Sequence, residues 1–127
     1  MKDFAELNQP PLSPPGWLFP IVWTVLYTLM GLASYLAITS SGLPENKRHS
    51  IVLYATQLAV NFLWPIFFFG LSAYLFAFVW LIILWLLIMA NIFSFYSLSG
   101  TAGLLMIPYL IWVTFAGYLN LGIYLLN

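Results

Sequence analysis

The sequence predicts an all-α integral membrane bundle of four transmembrane helices, and three observations carry that prediction. All six charged side chains fall into two patches, Lys2, Asp3 and Glu6 and then Glu45, Lys47 and Arg48, so Ser50 to Asn127 holds none. A water-facing surface needs charge to stay dispersed, and the solvent around most of this chain must therefore be lipid. Hydrophobic residues make up 64% of the 127 positions and charged ones 5%, where a soluble domain carries roughly 25% charged residues. Four apolar runs reach the length of about 20 residues that a spanning helix needs, and none alternates as a barrel strand would.

The first run covers 18–38. Pro14, Pro15 and Gly16 block its extension backwards, while Pro20 sits in the first turn, where a missing N–H costs little. A polar connection over 39–48 follows, with Gly42 and Pro44 as breakers. The second run, 51–69, contains Pro65, which predicts a kink. Gly70, Leu71 and Ser72 make a tight return into the third run, 73–98. Ser99 to Gly103 then turns into the fourth, 104–126. The whole chain, 1–127, reads as one transmembrane domain. Lys47 and Arg48 outnumber Lys2, so the positive-inside rule places their loop in the cytoplasm and both termini outside.

Several function classes drop out. Net charge is zero, which offers nucleic acid no footprint. Cysteine is absent, removing disulfides and thiolate sites. No carboxylate lies within the apolar runs, so they supply no acid/base pair and no hard-metal site. His49 is the sole histidine and reads as a solvated loop residue without a second metal ligand nearby.

The informative residues are the polar and aromatic ones at membrane depth. Gln57, Asn61, Asn91 and Asn120 are costly in lipid and should face protein or a cavity. Gln57 and Asn61 share one helix face, which Trp64 and Phe68 continue. Trp23, Tyr27 and Met30 line a stripe in the first helix; Trp112, Ala116, Leu119 and Asn120 line another in the last. Trp17 fits a headgroup belt, whereas Trp23, Trp80, Trp85 and Trp112 sit a turn or more inside their runs. Such stripes serve packing in many bundles. Broad rings beside amides and small residues also resemble the lining of a pocket for a flat apolar ligand. Gly31, Ala33, Ser34, Ala55, Ala59, Ala116 and Gly117 allow close helix approach, within one chain or in a homodimer.

The run from Leu7 to Tyr27, with Pro14-Pro15-Gly16-Trp17, Val22-Trp23, Leu26-Tyr27 and then Met30-Gly31, resembles the signature of the translocator protein (TspO/MBR) family of tryptophan-rich sensory proteins. Gln57 to Pro65 running into Phe68-Phe69-Gly70 is similar to the family's third helix. Pro108-Tyr109-Leu110-Ile111-Trp112, with Phe115-Ala116 and Leu119-Asn120, is similar to its fifth. The resemblance implies a five-helix bundle, often dimeric, of which this chain carries helices two to five, and a bacterial cell membrane as its location. It also implies an interior pocket that binds porphyrins, haem or similar flat hydrophobic ligands, with no cofactor required. The partners implied are the lipid bilayer, a tetrapyrrole-type molecule and a second copy of the chain. Carried over, the ligand-binding positions are Trp23, Tyr27, Gln57, Asn61, Trp64, Trp112, Ala116 and Leu119. Residues 1–17 form a lid loop, with Pro14, Pro15 and Trp17 as its matched positions.

Two departures bear on function. The family usually has a Trp just ahead of the lid, implicated in oxidative porphyrin breakdown, where this chain has Asp3 and then Phe4. The sterol motif of animal members needs a basic residue after a terminal Tyr, and Tyr124-Leu125-Leu126-Asn127 has none. The leading expectation is a tetrapyrrole-binding sensor or transporter. A porphyrin-degrading photo-oxidative enzyme and a ligand-free assembly subunit are the alternatives.

Overall fold

A computed structural model describes residues 16–127; Pro14 and Pro15 lie outside that range. Helix α1 covers Leu18–Ile38, α2 Pro44–Pro65, α3 Tyr74–Leu98, α4 Gly100–Leu105 and α5 Ile107–Leu126, with a π-helical segment at Ile66–Gly70 between α2 and α3. Four stretches are long and apolar enough to cross a membrane: Leu18–Ile38, Pro44–Gly70, Tyr74–Leu98 and Gly100–Leu126. Between 17% and 33% of each span is buried in the bundle. Many large apolar side chains face outward, among them Ile21, Val25, Phe62, Leu86 and Ile111, as a helix wetted by lipid allows.

Proline decides three of the boundaries. Pro44 opens α2 where the sequence predicted a loop up to Arg48. Its fixed φ and missing N–H suit the first helical position, so it starts the helix instead of breaking the chain. Glu45 lies in that first turn, where a carboxylate meets the positive end of the helix dipole. At the other end, Pro65 cannot donate back to the carbonyl of Asn61, and the chain widens into the π segment. There the Leu71 amide donates to the carbonyl of Ile66 at 2.9 Å, so the predicted kink takes the form of a widened turn. Ser72 then reverses direction with φ at 50°.

Pro108 divides the last span. The predicted turn over Ser99 to Gly103 is mostly the short helix α4, capped by Ser99 Oγ accepting from the Ala102 amide at 3.3 Å. Because Pro108 has no N–H for the carbonyl of Leu104, the ladder breaks at Met106, and α5 restarts with Pro108 in its first turn.

Helix α3 is the hub, packed closely against α2, α4 and α5. Its buried face runs Ala77, Leu81, Leu84, Ile88, Asn91, Ile92 and Phe95, at helical spacing. Helix α1 packs on α4, where Ala33 and Ala37 meet an element whose buried residues are Ala102 and Gly103. Gly103 is required where α4 folds back on α3: a Cβ would stand 2.6 Å from Tyr96 Cβ and 2.9 Å from its Cα. Of the other small residues, Ala116 is buried, while Gly31, Ala55 and Ala59 remain on the outer surface.

Candidate ligand cavity

Helices α1, α2 and α5 converge around a cavity of about 560 Å³ at the end of the bundle where α1 begins and α2 finishes. That volume falls within the range of about 300–1,000 Å³ typical of small-molecule sites. Helix α1 contributes Phe19, Pro20, Trp23 and Tyr27, with Gly16 just ahead of it. Helix α2 and the π segment contribute Asn61, Phe62, Trp64, Pro65, Phe68 and Phe69, and α5 contributes Ala116, Leu119 and Asn120.

The rings form two walls. On one side Trp23 stacks on Tyr27 with centroids 5.5 Å apart, and Tyr27 meets Phe62 at 5.8 Å. On the other, Trp64 stacks on Phe68 at 4.9 Å and 25°. Phe68, which continues the Gln57, Asn61 and Trp64 face, is buried against Ala77 and Ile123. Offset and edge-on contacts of this kind are favourable for the ring quadrupole.

Beneath the walls runs a polar network that ties three helices together. The Tyr109 hydroxyl donates to Gln57 Oε1 at 2.7 Å and accepts from Asn61 Nδ2 at 2.7 Å. Asn61 Oδ1 in turn accepts a longer bond of 3.4 Å from the Tyr27 hydroxyl. Further towards the membrane edge, Trp64 Nε1 donates to Asn120 Oδ1 at 3.0 Å, and Asn120 Nδ2 donates to the Tyr74 carbonyl at 2.8 Å. All four amides singled out from sequence are buried, each at 4% exposure or less. Helical spacing alone would put Gln57, Asn61 and Trp64 on one side of α2; the tertiary contacts add the phenol and second amide that satisfy them.

Of the eight expected ligand-binding residues, Trp23, Tyr27, Asn61, Trp64, Ala116 and Leu119 line the cavity. Gln57 lies below it, its Oε1 taken by Tyr109 and its Nε2 3.7 Å from Met30 Sδ. Trp112 stands behind Trp23, edge-on at 6.4 Å, and against Phe19 at 5.7 Å, so it backs the wall without lining the space. Trp17 is 68% exposed and is not part of the lining. Phe19, Pro20, Phe62, Pro65, Phe69 and Asn120 line the cavity without having been assigned to it from sequence. Asn120 could have been found, since it follows Ala116 on the same stripe. Phe62 sits one residue past Asn61 and therefore points about 100° away. Only the splay between α1 and α2 brings it to the rim.

The amino-acid pattern of the TspO/MBR family matches residues 1–126. The chain belongs to the TspO/MBR family. It is 40% identical over 125 residues to the tryptophan-rich protein TspO of Chlorobaculum tepidum, covering 98% of this chain and 78% of that relative. Protein CrtK of Rhodobacter capsulatus is 39% identical over 127 residues, again 98% of this chain and 78% of its own length. The translocator protein of Bos taurus is 36% identical over 118 residues, 92% of this chain and 70% of the relative. This TspO/MBR member is therefore a multi-pass integral membrane protein with bacterial relatives, and the bilayer is its surrounding medium. Its helices match the four-span bundle expected from the apolar runs.

Proposed function

We propose that this protein binds a porphyrin- or haem-type tetrapyrrole, or a similarly flat hydrophobic molecule, in the α1/α2/α5 cavity, and acts as a sensor or transporter of it. The observation that carries the reading is a 560 Å³ space walled by stacked rings on two sides. A planar conjugated ligand sliding between such walls buries both faces and gains dispersion contacts along its whole area. Every amide at the lining is already hydrogen-bonded to protein, so the cavity presents a nearly apolar surface without an unpaired group to desolvate. Tyr27 is the exception in flexibility. Its 3.4 Å bond to Asn61 is the weakest of the network, and its hydroxyl can turn to a ligand oxygen at low cost.

The test is a titration of purified protein with protoporphyrin, read as quenching of tryptophan fluorescence. Trp23 and Trp64 border the space, so quenching should saturate at one equivalent and weaken in Trp23→Ala. A linear, non-saturating response that Trp23→Ala and Ala116→Trp leave unchanged would refute the reading. Photo-oxidative degradation of the ligand is separated by illuminating the complex: loss of the porphyrin absorbance band would mark turnover, and a stable band plain binding.

A further inference from the structure

The opposite end of the bundle holds a second, chemically different recess. Where α2 begins and α3 ends, the two helices part around a crevice of about 430 Å³. Its rim is polar, formed by Asn46, His49 and Ser97; below the rim an apolar groove runs along Leu53, Ala90 and Phe93, the last two exposed on the outer face of the bundle. Asn46 and Leu53 lie seven residues apart on α2, so the change from polar to apolar happens over about 10 Å along the helix. Ser94 closes the floor, its hydroxyl hydrogen-bonded to that of Ser50.

Among the described residues, the charged side chains lie beside this rim. Lys47 and Arg48 are the cations among the described residues and Glu45 the carboxylate, all in the first two turns of α2. Two positive charges against one negative leave a net positive field at this end. Neither Lys47 nor Arg48 is held in an ion pair among the described residues. His49, which faces the crevice itself, is exposed and adds ring N–H donor capacity.

From this juxtaposition we infer that the α2/α3 crevice is a binding site for an anionic phospholipid. Its phosphate sits at Asn46 and His49 under the field of Lys47 and Arg48, and one acyl chain lies along Leu53, Ala90 and Phe93. A single molecule must satisfy a polar rim flanked by two cations and an apolar groove that begins within about 10 Å of it along a spanning helix pair. A free anion satisfies only the rim. A zwitterionic lipid brings a cation of its own against Lys47 and Arg48, which costs what the phosphate gains. The crevice lies at the opposite end of the helices from the aromatic cavity, so the inference does not depend on what that cavity binds.

Native mass spectrometry of the full chain released from detergent micelles tests this, with phosphatidylglycerol, phosphatidylcholine and glycerol phosphate offered separately. One phosphatidylglycerol should be retained per chain at several times the occupancy of phosphatidylcholine, with glycerol phosphate not retained. Lys47→Ala and Arg48→Ala should each lower retention about fivefold, the effect of roughly 1 kcal/mol per cation near an anionic lipid. Ala90→Trp, which fills an exposed part of the slot and leaves the charges in place, should lower it independently. Far-UV circular dichroism confirms that each variant remains helical. Equal retention of the two lipids overturns the inference, as does retention of glycerol phosphate alone. Retention unchanged by both Arg48→Ala and Ala90→Trp overturns it as well.

Discussion

The two ends of this bundle both bury amides, yet they are built from side chains of very different volume. Where α1 starts and α2 finishes, bulky rings at Trp23, Tyr27, Trp64 and Phe68 hold three helices apart and leave a cavity. Where α1 and α3 finish and α4 starts, Ala33 and Ala37 face an element of small buried residues, Ala102 and Gly103, and α4 approaches α3 until Tyr96 touches the glycine position. Both ends also carry buried amides. At the cavity end, Gln57, Asn61 and Asn120 have their side-chain oxygens paired. At the other, Asn91 donates to the Ser50 carbonyl over 3.4 Å while its Oδ1 has no partner. Side-chain volume decides whether helices part, as around the aromatic cavity, or close, as where Gly103 meets Tyr96. Hydrogen-bond completion differs too, and a satisfied network in low dielectric resists rearrangement more than a half-made one.

Five substitutions probe that contrast. The largest effect should come from Ala116→Trp, which places an indole in the cavity and should abolish saturable porphyrin quenching. An affinity loss of less than about tenfold, 1.4 kcal/mol, would mean the ligand sits elsewhere. Next is Tyr109→Phe, which strands Gln57 Oε1 and Asn61 Nδ2 at once; each unmade buried bond costs about 1–3 kcal/mol, so thermal unfolding in detergent should shift well below that of the parent. An unchanged midpoint would show that water or a rearranged amide replaces the phenol. Gly103→Ala should destabilise by about 1–3 kcal/mol through overpacking against Tyr96, while Gly31→Ala, which meets open space, should stay within about 0.5 kcal/mol. Equal effects at the two glycines would contradict the close packing assigned to α4. The smallest change belongs to Asn91→Leu. Removing a half-satisfied amide can be nearly neutral or stabilising, and a loss as large as that of Tyr109→Phe would show that Asn91 holds a partner in the membrane.

Comparing Trp23→Ala with Trp112→Ala sharpens the view of the cavity itself. Trp23 borders the space and Trp112 supports it from behind. Direct loss of a stacking face should therefore weaken porphyrin binding more than loss of the backing ring. The reverse order would place the ligand on the outer side of Trp23.

Much of this was legible in the chain. Apolar run length located all four spans because a bilayer imposes one length on every helix that crosses it. It misplaced the start of α2, and for a physical reason. Hydropathy marks the part of a helix in hydrocarbon, whereas Pro44 to His49 extend the helix into the headgroup layer, where Lys47 and Arg48 are welcome. The site was legible as far as one helix face at a time. Trp23 with Tyr27, and Asn61 with Trp64, follow from spacing along α1 and α2. Gln57 and Trp112 belong to the same stripes yet end up beneath and behind the cavity, because a stripe says which way a residue points and not how far the next helix stands.

What the sequence by itself determined is the solvent, the number of spans, the inward direction of the amides and the family signature. An uncharged stretch of that length can only be dissolved in lipid, and an amide in lipid must turn inward. Tertiary structure decided where the helices part and where they close. It paired Asn61 with Tyr109 and Trp64 with Asn120 across 48 and 56 residues, and it seated Phe68 against Ala77 and Ile123. Those outcomes depend on the volumes of residues distant in sequence meeting in one plane. No periodicity along a single helix encodes that meeting.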